Sequence, residues 1–174
     1  ESLRQKVAAV KGVEATSLIT ERQALFSYHD NRLAVRLRGV DENYNSVVPI
    51  NEFTSHGVAM VQSGDEDRLM LGEEVVYRLG LYSMTTGNID VYSLSGGQIG
   101  SVLPTVAMHS EKLPICGTFL IDRQHAASFA ITSLRAANRI FGVESGADMM
   151  LVKVANDTSH PKVAERLRAS LGEG

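Results

Sequence analysis

The side chains able to do chemistry are few and scattered. His29, His56, His109, His125 and His160 share no ligand spacing, so they read as surface or polar-loop residues and not as a zinc site. Asp65-Glu66-Asp67 lacks the ligand pattern of an EF-hand loop and reads as a solvated turn. Cys116 is the single cysteine, which excludes an internal disulfide and a cysteine metal cluster. Within the apolar run Leu113–Ile121 it reads as a small buried strand residue. No Gly-x-Ser-x-Gly elbow is present, and no pair of carboxylates is singled out for glycoside chemistry. Leu94–Gln98 spells Leu-Ser-Gly-Gly-Gln, a run whose amides can meet a nucleotide phosphate when it opens a helix. That chemistry also needs a Gly-x-x-x-x-Gly-Lys-Ser/Thr loop and an apolar strand ending in acidic residues, and the chain has neither. Asn156-Asp157-Thr158 matches a glycosylation sequon, which matters only in a secretory eukaryote. No catalytic, cofactor-binding or metal-binding residue is assigned, and the expectation is a protein that is not an enzyme and carries no cofactor.

The elements around these residues follow from hydropathy. Leu3, Val7 and Val10 predict a short helix stopped near Gly12. Val13–Thr20 and Ala24–Tyr28 read as two strands either side of the polar Glu21-Arg22-Gln23. Asp30-Asn31 turns the chain, and Arg32–Val40 alternates as a half-buried strand. Asp41–Thr54 reads as irregular, with a helical turn at Pro49. Val58–Gln62 is a short strand and Ser63–Arg68 a charged turn. Leu69, Met70 and Leu71 run as a strand into Gly72. Glu73 and Glu74 then open a helix where negative charge suits the dipole, with Val75, Val76 and Leu79 on one face and Gly80 as the stop. Ile89, Val91 and Leu94 sit in a strand, followed by β over Val102–Ser110 and Glu111–Ile121. Thr132–Phe141 is a helix, Met149–Val154 a strand, and a last helix from Ser159 or His160 turns Val163, Leu167 and Leu171 inward. The six methionines read mostly as core filling.

At 174 residues the chain suits one domain or two small lobes. Its 44% hydrophobic content argues against disorder, and a net charge of −3 with mixed acids and bases gives no reason to expect nucleic acid as a partner. No run approaches the roughly 18 apolar residues of a transmembrane helix.

Arg68–Leu94, with Leu71-Gly72-Glu73, Leu79-Gly80-Leu81 and Gly87-Asn88, resembles the extracytoplasmic core of FtsX-like and lipoprotein-releasing ABC-transporter permeases, the MacB-like periplasmic domain. Asn88 replaces the family's Asp. Val35–Asp41 resembles its strand ending in Arg-Gly-Ile-Asp, Leu113–Asp122 its strand ending in Gly-(Ile/Thr)-Phe, and Lys11–Phe26 its opening. The resemblance runs through nearly the whole chain, in order. It implies an α+β fold with a discontinuous porter-like lobe, 1–30 with 112–174, and an inserted β-rich, sabre-like lobe, 31–111. It also implies a non-catalytic domain outside the inner membrane, in the periplasm or its equivalent, with membrane spans on both sides in the parent protein. Partners would be a cytoplasmic ABC ATPase, a second permease subunit, and a lipoprotein or periplasmic carrier protein. The likeness of Leu94–Gln98 to the ATPase partner is then coincidence. In the lipoprotein-releasing relatives the loop at this place is a hook that grips a partner, which makes Gly96, Gly97, Ile99, Val102, Leu103 and Pro104 the candidate contact residues. Signalling to a cell-wall hydrolase, or an unrelated soluble binding module, are the other readings.

Overall fold

Val13–Tyr28 forms one unbroken strand, β1, after a short helix, α1 (Leu3–Ala8), boxed at its start by Ser2 and Gln5. The computed structural model describes residues 2–81, 86–94, 109–121 and 127–172. Two strands were expected over Val13–Tyr28, but the polar interval does not break the pairing, because its charges have partners. Glu21 meets Arg38 and Arg36 on the neighbouring strand, and Arg22 meets Asp148. That neighbour, β2 (Asn31–Val40), returns antiparallel through ten successive pairs, Tyr28↔Asn31 to Ile19↔Val40.

The remaining elements are α2 (Tyr44–Val47), α3 (Ile50–Phe53), β3 (Thr54–Gly57), β4 (Gln62–Ser63), β5 (Glu66–Asp67), β6 (Leu69–Gly72), α4 (Glu73–Arg78), β7 (Asn88–Ser93), β8 (Ser110–Phe119), β9 (Phe129–Ser133), α5 (Leu134–Phe141), β10 (Met149–Val154) and α6 (His160–Leu171). Helices and strands are mixed without a repeating βαβ order, so the class is α+β.

The strand pairings close on themselves. β1 pairs β2, β2 pairs β9, β9 pairs β6, β6 pairs β8, β8 pairs β7, and β7 returns to β1. β10 extends from β1 and β3 from β8. One main core cluster takes Phe26, Leu37, Ala130, Leu71, Ile115 and Val91, one residue from each strand of this ring. Val75 and Leu79 from α4 and Ala137, Ile140 and Phe141 from α5 complete it. A second cluster on the other face gathers Ile19, Met70, Cys116, Phe119 and Ile131 under Tyr44 and Ile50 of the two short helices. Around the ring, strands from 1–30 and from the region after residue 109 alternate with strands from 31–111.

The family-like motifs mark close approaches. A Cβ on Gly39, in Arg-Gly-Val-Asp, would lie 2.2 Å from Cβ of Ala137, so only glycine lets α5 sit this close to β2. A Cβ on Gly72, in Leu-Gly-Glu, would lie 2.1 Å from the carbonyl oxygen of Ala127. Asp41 closes the first motif by accepting from the Ser17 hydroxyl (2.8 Å), the Leu18 amide (3.1 Å) and the Asn43 amide (3.1 Å), and it pairs with Arg4. The chain turns off α4 at Gly80, as expected, with the Leu81 amide donating back to Val76.

Other expectations shift. The irregular stretch after Asp41 holds the two short helices, and a strand lies at Thr54–Gly57 instead of Val58–Gln62. The helix expected from Thr132 begins at Leu134. Phe129–Ser133 before it is a strand buried along its whole length, and covered strands lose the alternation that marks half-buried ones. In α6 only Val163 is buried, while Leu171 is exposed. Met70 fills the core, but Met60 and Met149 are exposed.

Candidate functional site

Asp67 is the one carboxylate buried among the described residues. It ends β5, is 4% exposed, and is met from β9 and α5. Its Oδ1 accepts from the Ser133 hydroxyl at 2.6 Å and from Nε of Arg135 at 2.7 Å, and its Oδ2 accepts from Nη2 of Arg139 at 2.8 Å. Ser133 also caps α5 by accepting from the Ala136 amide. Arg135 and Arg139 are one helical turn apart, so both guanidinium groups reach the same side of α5. Arg135 donates further to the Gly64 carbonyl, and Arg139 forms a two-pronged pair with Glu111 near the start of β8.

Burial alone would raise the Asp67 carboxyl, but the hydrogen bonds from Ser133, Arg139 and Arg135 outweigh it and hold it below the ordinary carboxylate range. Arg139 is raised above its ordinary value, first by Glu111 and then by Asp67. The carboxylate is buried while Arg135 and Arg139 are 36% and 51% exposed, so removing one arginine costs on the order of 1–3 kcal/mol, the cost of a buried acceptor left under-satisfied. The expectation of a solvated acidic turn therefore holds for Asp65 and Glu66, which are exposed, and fails for Asp67. A sequence signal for the network was present: two arginines four apart on a helix, and an acidic run to receive them.

A shallow groove of about 470 Å3 lies between this hairpin and the β7–β8 pair, with Asp65, Asn88, Lys112 and Pro114 among its lining residues. Its walls are charged, and it holds no nucleophile beside a base. Among the described residues no group of three or more His, Cys, Asp or Glu is placed to hold a metal ion. His29, His56, His109 and His160 are all exposed and separate, while His125 lies outside the described residues. Cys116 is buried, as expected, its thiol raised by that burial and donating toward the Leu69 carbonyl at 3.5 Å.

The candidate contact residues Gly96, Gly97, Ile99, Val102, Leu103 and Pro104 lie outside the described residues, as do Ser95–Gln98 of the Leu-Ser-Gly-Gly-Gln run. Their flanks are described. The Ser93 amide donates to the His109 carbonyl, and Tyr92 pairs with Ser110, so β7 and β8 bring the two ends of the segment together. Glu111, one residue further along β8, is the partner of Arg139.

No family model matches the sequence, and no curated protein matches it. The fold does have known counterparts. The chain superposes over its full length on 84% of the extracellular domain of the noncanonic ABC-type transporter YknZ from Gram-positive bacteria, with a TM-score of 0.66 at 12% identity. The periplasmic region of MacB from Actinobacillus actinomycetemcomitans gives 0.66 at 11% identity, covering 97% of this chain and 71% of that one. A domain of a protein described as a permease from Porphyromonas gingivalis gives 0.56 at 9% identity, covering 97% and 69%. The α+β fold is that of the MacB-like periplasmic domain.

Proposed function

We propose that this chain is the non-catalytic extracytoplasmic domain of an ABC-transporter permease. In this reading it carries ATP-driven movement of membrane helices to a lipoprotein or another extracytoplasmic cargo. The observation that supports this most is the likeness in fold, over the whole chain, to the extracellular domain of one ABC-type transporter and the periplasmic region of MacB. A lever of this kind needs rigidity rather than reactive groups. A closed ring of paired strands filled by two helices supplies it, since bending one strand disturbs neighbours on both sides. α1 and α6 pack together, with the Arg166 guanidinium donating to the Lys11 carbonyl, so the two outer helices form one footing. No helix among the described residues is long and apolar enough to cross a membrane. Segment 31–111 is, on the same reading, an insertion in sequence whose strands interleave with the rest in space.

The segment between β7 and β8, with Ile99, Val102 and Leu103, is the proposed grip. A photo-crosslinker at these positions in the full-length parent protein, in native membranes, is expected to capture a lipoprotein or its periplasmic carrier in an ATP-dependent manner. Capture of a cell-wall hydrolase instead would move the assignment to signalling. Turnover of a small molecule by the isolated chain, abolished by a single side-chain change, would overturn the reading.

A further inference from the structure

The hairpin of β4 and β5 has little apolar footing. Its strands are two residues each, and Gln62, Ser63, Gly64, Asp65 and Glu66 are all exposed. Polar bonds seat it: Asp67 with Ser133, Arg135 and Arg139, the Gly64 carbonyl with Arg135, and the Arg68 carbonyl with the Thr132 hydroxyl. Arg139 also faces the other way. Its guanidinium holds both oxygens of Glu111, whose neighbours in β8 pair with β7. The groove between the hairpin and β8 is bounded by the two elements that this one side chain joins.

We infer that Arg139 couples the β4–β5 hairpin to the first residues of β8, so that the hairpin is a strap whose seating on α5 holds the β7–β8 pair in register. Seating fixes the Arg139 side chain through Asp67, and a fixed guanidinium presents both donors to Glu111. Release frees it to rotate and weakens the second contact. The coupling is reciprocal, so loosening β8 also loosens the strap. Its meaning for cargo handling rests on the permease reading, because the β7–β8 pair carries the proposed grip. The coupling itself involves described residues alone.

Hydrogen exchange on the whole chain tests it without partner or membrane. Asp67→Asn keeps the shape and removes the charge. The amides of 62–68 are expected to exchange faster, and those of 110–113 faster by about fivefold or more, although Asp67 does not touch them. Glu111→Gln is expected to speed the strap in turn, and Arg139→Gln to speed both. The β1–β2 amides serve as the control and stay as in the parent chain. Acceleration of the strap alone in Asp67→Asn overturns the inference. Should that variant not fold, Glu111→Gln decides, and an unchanged strap overturns it. Coupling found beside a failed crosslinking experiment would remove the proposed grip and leave the strap standing.

Discussion

Gly39→Ala tests whether the closeness of α5 to the ring is what the Arg-Gly-Val-Asp motif serves. The added Cβ would start 2.2 Å from Cβ of Ala137, 3.2 Å from the Ser133 carbonyl oxygen and 3.3 Å from Cα of Leu134. Carbon atoms pack at about 3.5–4.0 Å, so the helix must retreat by roughly 1.5 Å. Ala137, Ile140 and Phe141 ride on that helix into the main core, so the retreat loosens all three. Overpacking of this kind costs about 3 kcal/mol, the upper part of the usual range. Ala137→Gly alone costs about 2 kcal/mol, from a helix-interior glycine and a lost buried methyl. In the double variant the worst contact is gone, while the two milder ones remain. Its cost is expected near 3 kcal/mol instead of the additive sum of about 5, a coupling of roughly 2 kcal/mol. Urea denaturation of the four proteins measures this cycle, with m checked for constancy. Strict additivity would refute the reasoning, since it would mean the two positions do not compete for the same space.

Acid should unfold the chain through its paired carboxylates. Asp67 and Asp148 both lie below the ordinary range in the folded state, Asp148 chiefly through its bond from Arg22, so the native state binds fewer protons than the unfolded one. Their contribution is therefore complete above the unfolded value of about 3.9 and is lost as pH falls through it toward the lowered folded values. Urea midpoints between about pH 6 and pH 3 read this loss, and Asp67→Asn, weaker at neutral pH, is expected to show a flatter profile. Asp41→Ala leaves the Leu18 and Asn43 amides and the Ser17 hydroxyl without their acceptor and Arg4 without its partner. A cost of about 3 kcal/mol is expected, seen in a thermal melt as a drop of about 8 °C. A drop no larger than that of an exposed control such as Glu42→Ala would remove Asp41 from the account of the motif.

Much of the architecture is written locally. The β1–β2 hairpin, the strand–glycine–helix unit from Leu69 to Gly80 and the last strand and helix follow from alternation, helical spacing and stop residues, because each is decided by neighbours in sequence. The strand Phe129–Ser133 was not legible in this way, since burial on both faces removes the period that identifies a strand. Nor was the fate of Asp67. Within Asp65-Glu66-Asp67 nothing local separates one carboxylate from the next, and only the docking of α5 places two guanidinium groups over the third. The ring itself is a product of tertiary structure. Residues as distant as Ser27 and Asp90, or Leu37 and Ala130, become partners only when loops close that local preference cannot specify. Local sequence determined most of the pieces that form; tertiary pairing decided how they join, because closure depends on contacts far apart in the chain.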